Sequence, residues 1–527
     1  MTPAATARAE AVMATAAIRA EVADATASAG WLDAGLAIAR TRAGLTFIAL
    51  PAPLATPAAI TDELRDEPLA AWSATGLTVV GVGVARELRG TGADRWAEVI
   101  AGAHALATGT PAAGDAGSEP ARAWPPTPLI AEPADVAALR SAPTVAVIAG
   151  VLAPTTGLGF ARPRFLGGAA FAPGAAAAAP WIGFGDAWFA LPRWTYTHDG
   201  ERALLVLAVD AAAAEERTRW HDQLAVFQAA FAAPHVPRAQ PALVELTPAA
   251  AETWRAQVTA ITDAIAHGEL AKVVAARTCT VALAGLVRPA DLLAVLDERH
   301  ADCVRVLIKP PGAGTLIAAT PERLVRRDGD LIECDALAGS IARSTTDPAA
   351  ATKTLLGSTK DRWEHQLVVD AIRTALTAAG ADIVEPRPGT DAPAVRALRH
   401  VIHLHTPFRA HLRARRHVLD LAARLHPTPA VGGTPTDVAT AWIASHEPAA
   451  RGWYAAPVGW FDLDGNGELA VALRSGVIAG SRAFLWAGAG IVAGSDPERE
   501  LAETEVKLRA MLGALGVDDS RRGGRAD

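Results

Sequence analysis

Hydrophobic positions change rhythm along the chain. Before about residue 210 they come in short runs rich in Val, Ile and Leu: TFIALP (46–51), LTVVGVGVARE (77–87), TVAVIAGVL (144–152) and ALLVLAVD (203–210). Such runs predict strands. An Ala-rich amphipathic stretch then runs to about Ala232, and APHVPRAQPAL (233–243) reads as a linker. Beyond it Thr247 is placed to cap a helix with Pro248 at its first position, and Gly268 to end that helix after His267. KVVAARTCTVAL (272–283) reads as a strand, followed by a helix near 360–380, strands near 399–406 and 469–478, and a helix near 497–515. The segment 113–133 is a Pro/Gly-rich surface loop. No fixed-period repeat, GxGxxG or P-loop pattern occurs, and strands and helices do not alternate regularly enough for a Rossmann fold. The pattern predicts a large α+β fold with substantial antiparallel sheet.

Composition narrows the function classes. The 527 residues are 51% hydrophobic and 20% charged, which is globular. Lys and Arg total 49 against 56 Asp and Glu, a net charge of −7, which argues against a nucleic-acid binder and a polybasic membrane anchor. Three cysteines, Cys279, Cys303 and Cys334, are too few and too far apart for a disulfide framework or zinc knuckle, so buried free thiols in a reduced compartment are expected. The N-terminus carries charges every few residues and lacks a signal-peptide core; a frayed surface helix is expected there. The longest uncharged stretch, 165–185, is broken by seven Gly and Pro residues and cannot be a spanning helix. A soluble, cytoplasmic protein is expected.

Acids and bases concentrate in the second half. In SDPERELAETEVKL (495–508), capped by Asp496 or Ser495, Glu500, Glu503 and Lys507 fall on one helix face. That face reads either as solvated ion pairs or as part of a site. Glu364 sits at the edge of an apolar helix face, where a carboxylate needs a partner or a metal; an i,i+4 pair with Lys360 is the plain alternative. Glu364 and Glu503 would suit Mg²⁺, which takes one or two protein carboxylates. Lys272 heads an apolar strand, where it either snorkels to solvent or is buried and serves as a base. Glu322 follows a proline turn, where a lone glutamate is usually a surface or capping residue, and alternation puts His403 and His405 on one strand face, where a satisfied core histidine is the plain reading. LAGS (337–340), AVGGTP (430–435) and AGAGIV (487–492) read as glycine turns that bring backbone amides to an anion, or as tight sheet corners.

Taken in order, these segments carry a resemblance. Lys272-Val-Val, Thr320-Pro-Glu-Arg, Leu337-Ala-Gly-Ser340, Lys360-Asp-Arg-Trp-Glu-His365, His426-Pro-Thr-Pro-Ala-Val-Gly-Gly433, Arg451-Gly-Trp-Tyr454, Ala487-Gly-Ala-Gly-Ile-Val492 and Glu503-Thr-x-x-Lys507 follow the sequence seen in the chorismate-utilising enzymes. The chain resembles their isochorismate synthase branch, strongly over about 250–515 and weakly at GGAAFAP (167–173) and FALPRWTY (189–196). The resemblance implies a two-part antiparallel β-sheet core flanked by helices, with the site between the parts. It implies a β-rich portion over 1–245, a chorismate-binding catalytic portion over 246–516 and a disordered tail over 517–527. By matching position, Lys272 resembles the base that activates water for attack at C2, and Glu322 the acid that protonates the departing C4 hydroxyl. Glu364 and Glu503 resemble Mg²⁺ ligands, with Glu500 supporting through water. Tyr454, Arg474, Lys507 and the Gly488 amide resemble contacts to the substrate carboxylates, and Gly339, Ser340 and His403 pocket residues.

Particular positions choose within the family. Ala338 stands where one type of aminodeoxychorismate synthase carries lysine, and amine-incorporating members generally lack the lysine seen at 272; no glutaminase partner is expected. Ala430 stands where salicylate synthases tend to have a hydroxylated residue. Ala456 replaces a frequent family glycine, and Leu473 is a residue salicylate synthases also use. The expectation is a monomeric, Mg²⁺-dependent isochorismate synthase with no organic cofactor. A salicylate synthase is the alternative within the family. A silent chorismate-binding scaffold is the alternative outside catalysis, disfavoured because a scaffold has no need of Lys272, Glu322, Glu364 and Glu503 together.

Overall fold

The computed structural model describes residues 25–41, 44–108, 146–148, 162–232, 234–343, 347–386 and 393–517. The expected N-terminal surface helix before residue 25, the 113–133 loop and the tail over 518–527 lie outside the described residues, as does most of the 144–152 run, of which Ala146–Ile148 is a strand.

The described residues form two compact units, one within 1–87, 101–163 and 190–236, the other within 88–100, 164–189 and 237–527. In the first, Thr46–Ala52 pairs antiparallel with both Ala146–Ile148 and Ala203–Val209. Leu69–Ala74 turns back on the strand that starts at Leu77 through a two-residue loop whose Gly76 has φ +78°, a conformation glycine adopts without strain. Helix Arg217–Ala232 buries Trp220, Leu224 and Phe227 at helical spacing.

The second unit holds two antiparallel arrays. One runs Leu243–Pro248, Lys272–Leu283, Arg482–Ile491, Ser475–Ala479, Thr315–Thr320 and Val304–Lys309. The other runs Arg164–Ala169, Pro457–Asp462, Gly467–Val471, Arg323–Asp328, Leu331–Ala342 and Val401–Leu412, with Ala381–Glu385 and Ala394–Ala397 beyond. Two helices bring the site residues to these arrays. Thr359–Ala378 packs on Leu331–Ala342; Ser358 caps it by accepting from the Asp361 amide, and Val368, Val369, Ile372 and Leu376 are its buried stripe. Pro497–Ala514 packs on Arg482–Ile491 and starts as expected, with the Asp496 carboxylate accepting from the Arg499 amide.

Three local expectations change. Thr247 and Pro248 do not open a helix: they end the strand Leu243–Pro248, and the helix spans Ala251–Ala266. This strand pairs on one side with Lys272–Leu283, a place where the N–H that proline lacks is not needed. The strand expected over 469–478 is two strands, Gly467–Val471 and Ser475–Ala479, in different arrays; Arg474 takes φ +48° at the break between them. AGAGIV and LAGS are not turns: the first lies mostly within the strand Arg482–Ile491, where its glycines serve close approach, and the second within Leu331–Ala342, where Gly339 takes φ +73° at a register shift. The three cysteines are buried and free, as expected. Among the described residues no helix is long and apolar enough to cross a membrane.

Candidate active site

A pocket with an empty volume of about 730 Å³ opens between strands of both arrays of the second unit. Glu322, Gly339, Ser340, Glu364, His403, Tyr454, Arg474, Gly488, Glu503 and Lys507 line it, so ten of the twelve residues singled out from sequence meet on one wall or another. Ala338, Ala430 and Leu473 line it too. Lys272 and Glu500 stand one layer behind.

Lys272 is fully buried, and its Nζ lies 2.9 Å from Glu364 Oε1. The i,i+4 alternative for Glu364 is therefore not what forms. The pair exists because a strand-borne lysine and a helix-borne glutamate converge on one point with no side chain at Gly490 between them. A Cβ at Gly490 would overlap Glu364 Oε1 and come within 3.0 Å of Lys272 Cε. From the other side, a Cβ at Gly433 would overlap the Lys272 carbonyl oxygen. Burial pushes the Glu364 carboxyl up, but the Lys272 ammonium, with further help from Lys360 and Lys507, outweighs it and holds the group below its ordinary value.

Glu322 follows the strand Thr315–Thr320, and its amide donates to Thr320 Oγ1 at 3.2 Å. Its carboxyl is only 3% exposed. Burial raises it first, and the negative charge of Asp335 raises it further; Lys272, Lys507 and Arg396 pull it back, leaving it pushed up to about 8. At neutral pH Glu322 is thus an acid with a proton to give.

The remaining wall is cationic. Arg474 is held from two sides: Nη2 donates to His403 Nε2 at 3.1 Å and Nη1 to Cys303 Sγ at 3.8 Å. Burial, and then the Arg474 charge, hold His403 well below its ordinary value, so it is the neutral acceptor that this hydrogen bond requires. Lys507 reaches from its helix to the Gly488 carbonyl at 2.8 Å and to Glu503 Oε1 at 2.7 Å, and Ser340 Oγ donates to the same Glu503 oxygen at 3.2 Å. Tyr454 packs against Gly488, where a Cβ would stand 3.1 Å from its Oη. Burial raises the Tyr454 phenol, which stays a donor at neutral pH.

The carboxylates at this end were read as metal ligands. Each now has a lysine: Glu364 with Lys272, Glu503 with Lys507, and the nearly buried Glu500 with Lys360 at 2.6 Å. Their chemistry, oxygen donors with no thiol or imidazole among them, fits a hard cation such as Mg²⁺. The trio of His, Cys, Asp or Glu ligand atoms that does converge among the described residues, within 4.8 Å, is His300, Asp302 and Cys303 instead. There the Arg474 guanidinium sits beside the thiol and opposes a cation. Sequence reasoning missed three contributors. Gly490 was hidden inside a motif read as a turn. Lys360 was considered only as an alternative partner for Glu364, whereas it pairs with Glu500. Arg451, known only as a motif residue, donates to the Val431 and Val274 carbonyls and so ties the 430–433 segment to the Lys272 strand.

Known proteins share this frame. The chain is 39% identical to the salicylate biosynthesis isochorismate synthase of Pseudomonas aeruginosa over 363 residues, 67% of this chain and 75% of that one. It is 35% identical to the isochorismate synthase MenF of Bacillus subtilis (strain 168) over 362 residues, again 67% and 75%. Among solved structures, MenF, the menaquinone-specific isochorismate synthase from Escherichia coli, superposes with a TM-score of 0.66 and 25% identity over 91% of this chain and 100% of that one. Anthranilate synthase component I from Streptococcus pneumoniae TIGR4 shares the fold, with a TM-score of 0.57 at 19% identity over 82% and 92% of the two chains. The family model for the chorismate binding enzymes matches residues 146–516, and the chain belongs to that family.

Proposed function

We propose that the protein is an isochorismate synthase, converting chorismate reversibly to isochorismate. The observation that carries this reading is that one pocket holds a buried acid, Glu322, and, behind Glu364 and Gly490, a buried amine, Lys272. The reaction needs both. Water adds at C2, the ring double bonds shift, and the C4 hydroxyl leaves as water. For the base step Lys272 must first give up the proton of its resting ammonium; as the free amine it then takes the proton from the attacking water, and the Glu364 carboxylate 2.9 Å away stabilises the ammonium that re-forms. Glu322 gives its proton to the C4 oxygen. The substrate's two carboxylates are met by Arg474, Lys507, the Tyr454 hydroxyl and the backbone at Gly488, with Gly339, Ser340 and His403 completing the wall. In reverse the acid and base exchange roles.

Glu364 and Glu503 would hold Mg²⁺, with Glu500 behind them. Bound there, the ion offsets negative charge that the substrate carboxylates and these glutamates would otherwise bring together. Activity is expected to vanish with a chelator and return with Mg²⁺; full turnover in excess chelator would overturn the metal assignment. The bare methyl groups of Ala338 and Ala430 on the pocket wall favour water as the nucleophile and isochorismate as the final product. The test is chromatography of the products from chorismate at neutral pH. Isochorismate in equilibrium with chorismate is expected, and salicylate as the main product would move the protein to the pyruvate-eliminating alternative.

A further inference from the structure

Two arginines stand at the pocket, and the fold partners them differently. Arg451 is buried and its charge is met inside the protein: Nε donates to Glu447 Oε2 at 2.8 Å, and Nη1 and Nη2 donate to the Val431 and Val274 carbonyls. A carboxylate thus offsets its guanidinium. Arg474, on the pocket wall, is held without one. Nη2 donates to His403 Nε2 at 3.1 Å and Nη1 to Cys303 Sγ at 3.8 Å, and among the described residues no ion pair joins it to a carboxylate.

Both acceptors are uncharged. An arginine only donates, so the His403 nitrogen it meets is the bare one of a neutral ring. Cys303 is 3% exposed, and burial keeps it a thiol, whose sulfur accepts weakly. The two come from different arrays. His403 lies on Val401–Leu412, opposite Ser340, and Cys303 immediately precedes Val304–Lys309. The backbone pins Cys303: its amide donates to the His300 carbonyl at 3.0 Å, and its carbonyl accepts from Arg305, which Asp297 holds at 2.8 Å. The Arg474 backbone is fixed as well, at φ +48°, with its carbonyl accepting from the Ala319 amide at 3.2 Å.

We propose that His403 and Cys303 form a neutral clamp that orients the Arg474 guanidinium without offsetting its charge, which is thereby left for a substrate carboxylate. Cys303, which does not line the pocket, is a positioning residue. The inference rests on the reading of Arg474 as a carboxylate contact. It has a consequence of unusual sign. A carboxylate at position 303 would be a better partner for the arginine and a worse one for the enzyme, because it would take the ionic hydrogen bond that the substrate otherwise receives.

The experiment measures KM and kcat for chorismate, and Tm, in Cys303→Asp, Cys303→Val and Cys303→Ser. Cys303→Asp should raise KM by about ten-fold or more, the range of a hydrogen bond to a charged group, while kcat changes by no more than about two-fold. Its Tm should not fall, since the arginine gains a counter-charge. Cys303→Val removes the acceptor and should raise KM by about three- to ten-fold; Cys303→Ser keeps an acceptor and should stay closer to the wild type. A merely structural role would lower Tm and kcat together and would not separate Asp from Ser by charge. Wild-type KM in Cys303→Asp, or a loss carried by kcat alone, would overturn the clamp. If the Asp variant does not fold, Val and Ser decide: equal KM values in those two would overturn it. Arg474→Met tests the reading beneath. An unchanged KM there would remove Arg474 from carboxylate binding and the clamp with it. A raised KM in Arg474→Met beside unmoved Cys303 variants would leave that reading standing and overturn the clamp alone.

Discussion

Glu322 and Glu364 face the same pocket, are buried to 3% and 9% exposure, and are driven in opposite directions. Glu322 is pushed up to about 8, while Glu364 is held below its ordinary value. Burial acts upward on both, so burial does not distinguish them. What differs is the nearest charge. Glu364 projects from a helix onto a fully buried lysine, whereas Glu322, after the strand Thr315–Thr320, feels the negative charge of Asp335. One pocket is thereby lined by a charged carboxylate and a protonated one, the division that acid–base chemistry at two ring carbons requires.

The largest expected effect breaks both poles of this comparison. Lys272→Ala and Glu322→Gln should each lower kcat, forward and reverse, by at least ~10²-fold, the range typical of positioned acid–base groups. The double variant should lose less than the product of the single losses, because the two groups act in one transition state. Chorismate and isochorismate turnover, with products separated by chromatography, measure this. Near wild-type rates in Lys272→Ala would remove the base from the mechanism.

Next in size is Gly490→Ala. The added methyl would overlap Glu364 Oε1 and crowd Lys272 Cε, so the ion pair must shift while Glu322 stays in place. A displacement of even ~1 Å at a reacting group costs up to about 10²-fold, and a ten- to hundred-fold loss in kcat is expected. An unchanged kcat would show that the Lys272–Glu364 geometry is not what the chemistry uses.

The poles of this comparison were unequally legible in the sequence. The Lys272 strand was readable to its ends because a continuous apolar run admits few alternatives, and the Glu364 helix because a buried stripe at helical spacing carried the glutamate inward with it. Their pairing was not readable: it depends on a missing side chain at Gly490, and a glycine in a sequence signals a turn as readily as a close approach. Asp335 was invisible for another reason. In ECDALAGS it alternates like any strand residue, and its meaning comes from His405 and Arg396 on separate strands, 70 and 61 residues away in the chain. Likewise Thr247-Pro248 satisfies helix-start chemistry and strand-edge chemistry alike, and only pairing with Lys272–Leu283 decides between them.

The smallest expected effect sharpens the comparison most, because it reads the two glutamates by sign and not by rate. Glu364 sits below its ordinary value, so its stabilisation is complete above pH 4.5, the unfolded value, and is lost as pH falls through its folded value. In Glu364→Gln the Lys272 ammonium is left buried without its counter-charge, which costs about 3–5 kcal/mol when one partner of a buried pair is removed. That deficit should be present at pH 7 and shrink below pH 4.5. Glu322 behaves in the reverse sense. Between pH 4.5 and about 8 the unfolded chain gives up a proton that the folded chain keeps, so wild-type stability declines as pH rises through that window. Glu322→Gln has no such group and should gain on the wild type from pH 4.5 upward, by at most about 5 kcal/mol at ~1.4 kcal/mol per unit, and then level off. Urea unfolding of the wild type and both variants at pH 3.5, 5, 6.5 and 8 measures the two trends, the lowest pH reading Glu364 and the upper three Glu322. A Glu322→Gln advantage that does not grow with pH would show that its carboxyl is not held protonated by the fold, and the division between the two glutamates would not exist.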